Sequence, residues 1–196
     1  GRSVLMQELH GRRSELTPPP FSVRSRAHEY GGGAYCVLGA EAWFVNDADQ
    51  AIWHRNPDGE IRQLTPADQR RYADLKRDPR RRRLLAVCED HGASGEPRAS
   101  IVAISDAGAV TTLLEGHDFY ASLRLDADGE HLAWLTWDHP RLPWDGTTLW
   151  AARLDADGQP VDPVQVAGGE HVSVFQPEWL RDGRLGFVAD PDGWWN

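Results

Sequence analysis

Short apolar runs separated by turn residues dominate the pattern of this chain. Strand-like runs of about five to seven residues, rich in Val, Ile, Leu, Trp and Tyr, alternate with Gly or Asp turns along the whole sequence. No segment keeps a sustained helical period of about 3.6 residues. This pattern is typical of strands joined by tight turns, so the sequence predicts an all-β fold.

The turns recur at a nearly constant interval. Gly11, Gly59, Gly108 and Gly158 are separated by 48, 49 and 50 residues, and the tripeptide Leu-Thr-Pro follows the first two of them, at residues 16–18 and 64–66. A period near 50 residues with several strands per unit is typical of β-propellers. In that fold neighbouring four-stranded blades bury one another's faces.

Placing four strands on each period predicts the division of the chain. Complete blades are expected at residues 34–65, 72–114 and 119–167, and half blades at 1–17 and 172–196. A propeller cut inside a blade leaves unpaired strand edges, so we interpret the chain as an incomplete propeller, about four blades' worth of sheets, from a longer protein. In the alternative, the last two strands pair with the first two and close a ring of four blades.

The same register sorts the connections onto two faces. One face receives tight turns, including the run Arg80 to Arg83, which we expect to be a solvated hairpin in this acidic chain. The other face receives the long loops, at residues 18–33, 46–49, 89–98, 137–146 and 190–195. Long loops on a rigid scaffold usually carry binding residues, so we expect the functional site on this second face.

Composition narrows the class of function. The 196 residues include 21 basic and 30 acidic side chains, a formal net charge of −9, which argues against a nucleic-acid partner because phosphate binding needs a positive surface. No apolar run is long enough to predict a membrane span. Two cysteines are too few for a disulfide framework or a cysteine zinc site. We expect a cytoplasmic protein with no metal, no cofactor and no membrane partner.

Sequence motifs in the long loops resemble a known family. Residues 24–35 read RSRAHEYGGGAY, residues 89–91 read EDH with Glu96 after them, and residues 137–146 read WDHPRLPWDG. With FQPEW at 175–179 and GWWN at 193–196, they resemble the propeller of prolyl oligopeptidase family serine peptidases. The branch they resemble most contains the dipeptidyl-aminopeptidases and acylaminoacyl-peptidases, and the resemblance covers essentially the whole chain.

The resemblance implies that catalysis takes place on another domain. In that family a propeller caps an α/β-hydrolase domain that carries a Ser, Asp and His triad, and it admits only short peptides or blocked amino acids. This sequence contains no Gly-x-Ser-x-Gly nucleophile elbow, and its nearest approach, at residues 92–95, is one residue short. We therefore expect the chain to be inactive alone.

The expected function is thus that of a substrate-gating propeller domain. The resemblance implies two partners, a short peptide substrate and the α/β-hydrolase domain of the same parent chain. The alternative is a stand-alone, non-enzymatic propeller that binds a peptide or protein on its loop-rich face, because one fold hosts many functions.

The sharpest group of candidate binding residues lies before the third strand. Consecutive glycines permit positive φ angles and close approach of another chain, while Arg26 and Glu29 are suited to hold the charged ends of a peptide. The resemblance implies that a propeller carboxylate receives the substrate's ammonium group. In the structural alternative, Arg26 pairs with Glu29 and the glycines pack on the next blade. The candidates are Arg26, His28, Glu29, Tyr30, Gly31, Gly32 and Gly33.

A second group lies in the loop at 137–146. Two indole rings and stiffening prolines offer an apolar wall or a contact with the hydrolase domain. The candidates are Trp137, His139, Trp144 and Asp145.

A third loop is acidic. Glu89, Asp90 and Glu96 surround His91, but their spacing matches no metal-ligand pattern. We expect solvated loop charges at these positions.

Overall fold

The computed structural model describes residues 1–29, 31–92 and 94–196, and these residues form sixteen β-strands and no helix. The strands make five antiparallel sheets, which we number as blades 1 to 5 along the chain. Blades 2, 3 and 4 have four strands each, whereas blades 1 and 5 have two. The predicted all-β, incomplete propeller is confirmed. Within the described ranges no helix is long and apolar enough to cross a membrane.

The strands follow one another in space in the order of the sequence. Blade 1 contains β1 (Met6–Leu9) and β2 (Arg12–Glu15). Blade 2 contains β3 (Tyr35–Leu38), β4 (Glu41–Val45), β5 (Ile52–Arg55) and β6 (Ile61–Gln63). Blade 3 contains β7 (Arg70–Asp78), β8 (Arg83–Asp90), β9 (Arg98–Ser105) and β10 (Val110–Glu115). Blade 4 contains β11 (Phe119–Leu125), β12 (His131–Trp137), β13 (Thr148–Leu154) and β14 (Pro160–Gly168). Blade 5 contains β15 (Val174–Trp179) and β16 (Leu185–Ala189).

The apolar core lies between neighbouring blades. The second strand of a blade contributes side chains to the core on both faces of its sheet. Along β8, Leu84, Ala86 and Cys88 pack towards blade 2, while Leu85 and Val87 pack towards blade 4. Successive side chains of a strand point to opposite faces, so a strand buried on both faces is an unbroken apolar run. The same alternation occurs on β12, which serves blades 3 and 5.

The predicted alternative of a closed four-blade ring is wrong. Closure requires β15 and β16 to join the sheet formed by β1 and β2, but in the described residues these remain two separate two-stranded sheets. The exposed apolar side chains of β3 and β15, among them Tyr35, Val37 and Phe175, accord with an open arrangement.

A bulge interrupts the first strand of blades 3, 4 and 5, and these first strands lie side by side. The ladder shifts register after Ala73, Ala121 and Phe175. The next residue is Asp74, Ser122 or Gln176, with a φ of 51°, 56° and 50° respectively. Bulges re-aim backbone groups away from the ladder, so these positions are available for bonds between blades.

Asp74 uses its bulge to connect three blades. Its Oδ1 accepts a hydrogen bond from the Gly33 amide, in the loop before β3, at 3.0 Å, and its Oδ2 accepts one from the Ser122 amide of blade 4 at 2.6 Å. Each bond has an ionised acceptor, which strengthens it relative to a neutral pair. One side chain on blade 3 therefore binds both the loop that leads into blade 2 and the first strand of blade 4.

The run Arg80 to Arg83 links blades 3 and 4 on the face that carries the tight turns. The Arg81 guanidinium donates to the carbonyls of Gly129 and Asp155, and Arg83 donates to the carbonyl of Gly158. Both side chains contact the fully buried carboxylate of Asp78. The predicted solvated hairpin is wrong for these two arginines, because turn carbonyls of the next blade bind them.

Replacing Asp74 by Asn tests the three-blade link. Asn tolerates the positive φ and keeps one acceptor oxygen, but its amide NH2 cannot accept from the second backbone N–H. We expect a loss of about 1–3 kcal/mol in the free energy of unfolding, measured by urea denaturation. Asp128→Asn, at an exposed turn position, is the control and should change stability by less than about 0.5 kcal/mol. Equal effects would contradict the link.

The arginine run offers its own matched pair. Arg83→Met removes an ion-pair partner of the Asp78 carboxylate, which stays buried. The change should destabilise the chain by about 3–5 kcal/mol. Arg82→Met removes a guanidinium whose side chain is 82% exposed and should change stability by under about 1 kcal/mol. Thermal unfolding of both variants checks this, and a similar small shift in both would show that the buried pair is unimportant.

Candidate functional site

Three of the five long loops enclose a cavity of about 420 Å³ on the loop-rich face. The loop before β3 supplies one wall, the β8–β9 loop a second, and the β12–β13 loop a third. Charged and aromatic side chains meet there although they are distant in sequence. The residues at its surface include His28, Glu29, Glu89, His91, Glu96, Asp118, Phe119, Trp137, His139, Leu142 and Trp144.

Glu89, at the end of β8, is the most buried carboxylate of this cavity, with 7% of the residue exposed. It accepts hydrogen bonds from the His28 backbone amide at 3.2 and 3.3 Å and lies 2.8 Å from Nε2 of His91. Burial by itself raises the pKa of Glu89, but the bonds from His28 and His91 outweigh it and lower the pKa to about 2. The prediction of solvated charges is therefore wrong at Glu89.

The imidazole of His28 lies at the centre of the site. Its side chain is 5% exposed, with Nδ1 3.5 Å from Glu89. Its Nε2 lies 3.2 Å from the carbonyl of Tyr120 in blade 4. A carbonyl only accepts, so Nε2 carries the proton and donates. The loop before β3 therefore reaches past blade 3 and joins blade 4.

Glu29 is, with Glu96 and Asp118, one of the exposed carboxylates at this cavity. It pairs with Arg71 of β7 at 2.6 Å, yet 82% of its side chain remains exposed. His28 and Glu29 both have positive φ, 54° and 63°. Two consecutive non-glycine residues in this region are unusual, and such strain is found at binding and active sites more often than elsewhere. The backbone therefore presents the Glu29 carboxylate at the cavity rim.

An aromatic wall faces these carboxylates. Phe119 stacks on Trp137 with centroids 5.1 Å apart and ring planes 7° from parallel, and His139 meets Phe119 edge-on at 5.0 Å. His28 contacts the same pair, 5.4 Å from the Phe119 ring. Trp144 lies at the rim with 66% of its surface exposed. The cavity thus combines an acidic side with an apolar aromatic side.

Carboxylates fix the shape of the loop that carries this wall. Asp138 accepts from the Asp118 amide and pairs with His117 at 2.8 Å, and Asp118 in turn accepts from the His139 amide. Asp145 accepts from the Leu142 amide within the loop. Asp145 is therefore a loop-shaping residue in this structure and not part of the cavity wall.

Gly32 and Gly33 pack closely on blade 3, whereas Gly31 lies against the Ser25 carbonyl of its own loop. Gly31 has a φ of +87°, and a Cβ on Gly32 would come within 2.8 Å of the Ala73 Cβ. Gly33 donates its amide to Asp74, as described above. This close packing agrees with the structural alternative proposed for the glycines.

The remaining candidate residues lie outside this cavity or outside the described residues. Arg26 binds Asp47 at 3.0 Å, so the predicted Arg26–Glu29 pair is wrong and each residue has another partner. Tyr30 lies outside the described residues. Sequence reasoning missed Phe119 and Arg71, which are ordinary strand residues; the loop sequence gave no signal for them.

Comparison with solved structures gives close matches. A puromycin hydrolase has 32% identity and a TM-score of 0.91, and a puromycin-hydrolysing peptidase from Mycobacterium tuberculosis has 37% identity and a TM-score of 0.87. Each match covers 100% of this chain and 33% of the other. A putative TolB from Agrobacterium tumefaciens, at 15% identity and a TM-score of 0.59, shares the fold alone. No protein-family model matches the chain, and the comparison with curated proteins gives no match.

The fold and the close matches define the class as a β-propeller similar to the propeller part of peptidases. The chain is homologous to the propeller of puromycin hydrolase, a peptidase of the prolyl oligopeptidase family. It spans about a third of the length of those proteins.

The low pKa of Glu89 makes a prediction about pH. A carboxylate whose pKa falls from 4.5 to about 2 on folding stabilises the folded state above pH 4.5, and this contribution disappears as the pH drops towards 2. Glu89→Gln should lower the free energy of unfolding by about 1–3 kcal/mol at pH 7, with a smaller gap at pH 3. Chemical denaturation across this range measures the gap.

Glu96→Gln provides the comparison, because Glu96 borders the same cavity but is exposed. Its effect should be small at every pH. A Glu89→Gln gap that stays constant from pH 7 to 3 would show that the carboxylate is not held ionised by its neighbours.

Proposed function

We propose that this chain is the substrate-gating part of a serine peptidase that hydrolyses short peptides or aminoacyl compounds. The reaction takes place on an α/β-hydrolase domain of the same parent protein. The propeller restricts entry by size and positions the substrate on its loop-rich face. Positioning of this kind lowers the barrier by fixing the orientation of the reacting bond.

One observation carries the proposal: the accessible Glu29 carboxylate beside a cavity with an aromatic wall. A carboxylate held at a rim by an arginine and by a strained backbone is preorganised, so ligand binding does not have to order it. It forms a charge-assisted bond with an ammonium group. Glu89 supplies a second negative charge, buried and ionised, which favours a cationic ligand end over an anionic one.

The size and composition of the cavity suit a short peptide. A volume of about 420 Å³ lies within the usual range for small-molecule sites, roughly 300–1,000 Å³. The stacked Phe119 and Trp137 offer flat apolar area to the rest of the ligand. The names of the close matches add support, since hydrolysis of puromycin is hydrolysis of an aminoacyl compound.

The first experiment establishes whether the catalytic partner exists. Intact mass of the natural protein is measured beside its turnover of aminoacyl and acylaminoacyl substrates, with and without a serine-directed fluorophosphonate. A mass well above 21.9 kDa with inhibitable turnover supports the proposal. A natural protein of this mass with no turnover favours the alternative, a propeller that binds a peptide without cleaving it.

Glu29→Gln in the natural peptidase tests the ammonium receptor. The change keeps the shape but removes the charge, so kcat/KM for substrates with a free amino group should fall about tenfold to a hundredfold, the worth of a charged hydrogen bond. Amino-blocked substrates should be unaffected. Steady-state kinetics on a matched pair of substrates measures the difference.

Glu130→Gln is the matched control. Glu130 also pairs with an arginine at 2.6 Å and is half exposed, but it lies on the opposite face. It should leave both substrates unchanged. Equal effects of Glu29→Gln on free and blocked substrates would disprove the ammonium role.

A further inference from the structure

A second, smaller cavity of about 230 Å³ adjoins the one described above. The two cavities share His28, Trp137 and Pro143. These residues form a common wall between the larger, acidic cavity and the smaller one. The smaller one lies where the first strands of blades 3, 4 and 5 have their bulges. Its surface is formed mainly by Gly31, Gly32, Ala73, Ala121, Leu135, Val174 and Phe175.

Two polar side chains at this surface, Asp74 and Thr147, are hydrogen-bonded within the protein. The Asp74 carboxylate holds the amides of Gly33 and Ser122. The Thr147 hydroxyl donates to the Val174 carbonyl at 2.9 Å and accepts from the Val174 amide at 2.7 Å. A water molecule needs several polar partners to be held in a cavity. With these groups engaged, the cavity favours an apolar occupant.

We propose that the smaller cavity binds the apolar side chain of the amino-terminal residue of a peptide, an inference that rests on the proposed function. A ligand whose ammonium group lies at Glu29 enters beside His28 and Trp137, the residues that border both cavities. The size fits one side chain, because a cavity of about 150 Å³ already accepts a benzene molecule. The substrate class is thus a short peptide that begins with an aliphatic or aromatic residue.

The test compares two peptides on the full chain, Leu-Ala-Ala and Gly-Ala-Ala, by NMR titration. We expect Leu-Ala-Ala to bind about tenfold to a hundredfold more tightly, as expected when several methylene groups enter an apolar pocket. Ala121→Leu fills the cavity from β11 and should abolish the preference. Ala127→Leu, at an exposed turn of the opposite face, should preserve it.

A second pair of variants tests the same cavity in case Ala121→Leu does not fold. Phe175 is 54% exposed, and Phe187 on the adjacent strand β16 is 38% exposed. Phe175→Ala removes a wall of the cavity and should reduce the preference for Leu-Ala-Ala at least threefold. Phe187→Ala should leave it unchanged. Thermal unfolding of all four variants confirms that they fold.

The outcomes separate this inference from the ammonium role of Glu29. Glu29→Gln should weaken both peptides by the same factor and keep the preference. Equal affinity of the wild-type chain for both peptides, binding of neither, or a preference that survives Ala121→Leu and Phe175→Ala would overturn the cavity assignment. A preference retained with no effect of Glu29→Gln would instead count against the ammonium receptor.

Discussion

The arrangement of the blades depends most directly on the two hydrogen bonds that the Asp74 carboxylate accepts. A four-stranded sheet of this size buries its faces only against its neighbours, and apolar packing between sheets does not by itself fix their angle. Asp74 adds a directional constraint, because it binds the loop before β3 and the first strand of blade 4 at once. The loop before β3 is thereby held over blade 3, and the walls of both cavities follow from its position.

The two faces of the propeller differ because their connections differ. On the tight-turn face, Arg81 and Arg83 bind turn carbonyls of blade 4, and the buried Asp78 orients both guanidinium groups. On the other face the long loops bind one another through carboxylate–amide and carboxylate–imidazole contacts. The first face supplies rigidity, and the second combines a fixed scaffold with accessible charged groups, the arrangement that binding sites commonly use.

The sequence predicted an incomplete propeller because the turns that recur about every 50 residues, and the apolar runs between them, are local properties of the chain. The loop-rich face also followed from the register. The burial of Glu89 was not predicted, because the loop residue His28 whose amide binds it is 61 positions away in sequence. Arg81 and Arg83 were misjudged because their acceptors are backbone carbonyls, which have no sequence signature. Phe119 looked like an ordinary strand residue until the stack on Trp137 gave it a role.

The hydrogen bonds between blades determine which parts of the chain unfold together. Repeat proteins whose units contact only their neighbours lose structure unit by unit from the ends. Here Asp74 and the arginine run join blades 2, 3 and 4, so these three should exchange their amide hydrogens as a single cooperative unit. Blade 5 is tied to blade 4 by the Thr147–Val174 and Arg124–Glu178 bonds, whereas the hairpin of blade 1, whose strand residues are all exposed, should open at lower free energy. The loops of the site belong mostly to the protected unit, which keeps the cavities in shape while the hairpin of blade 1 opens.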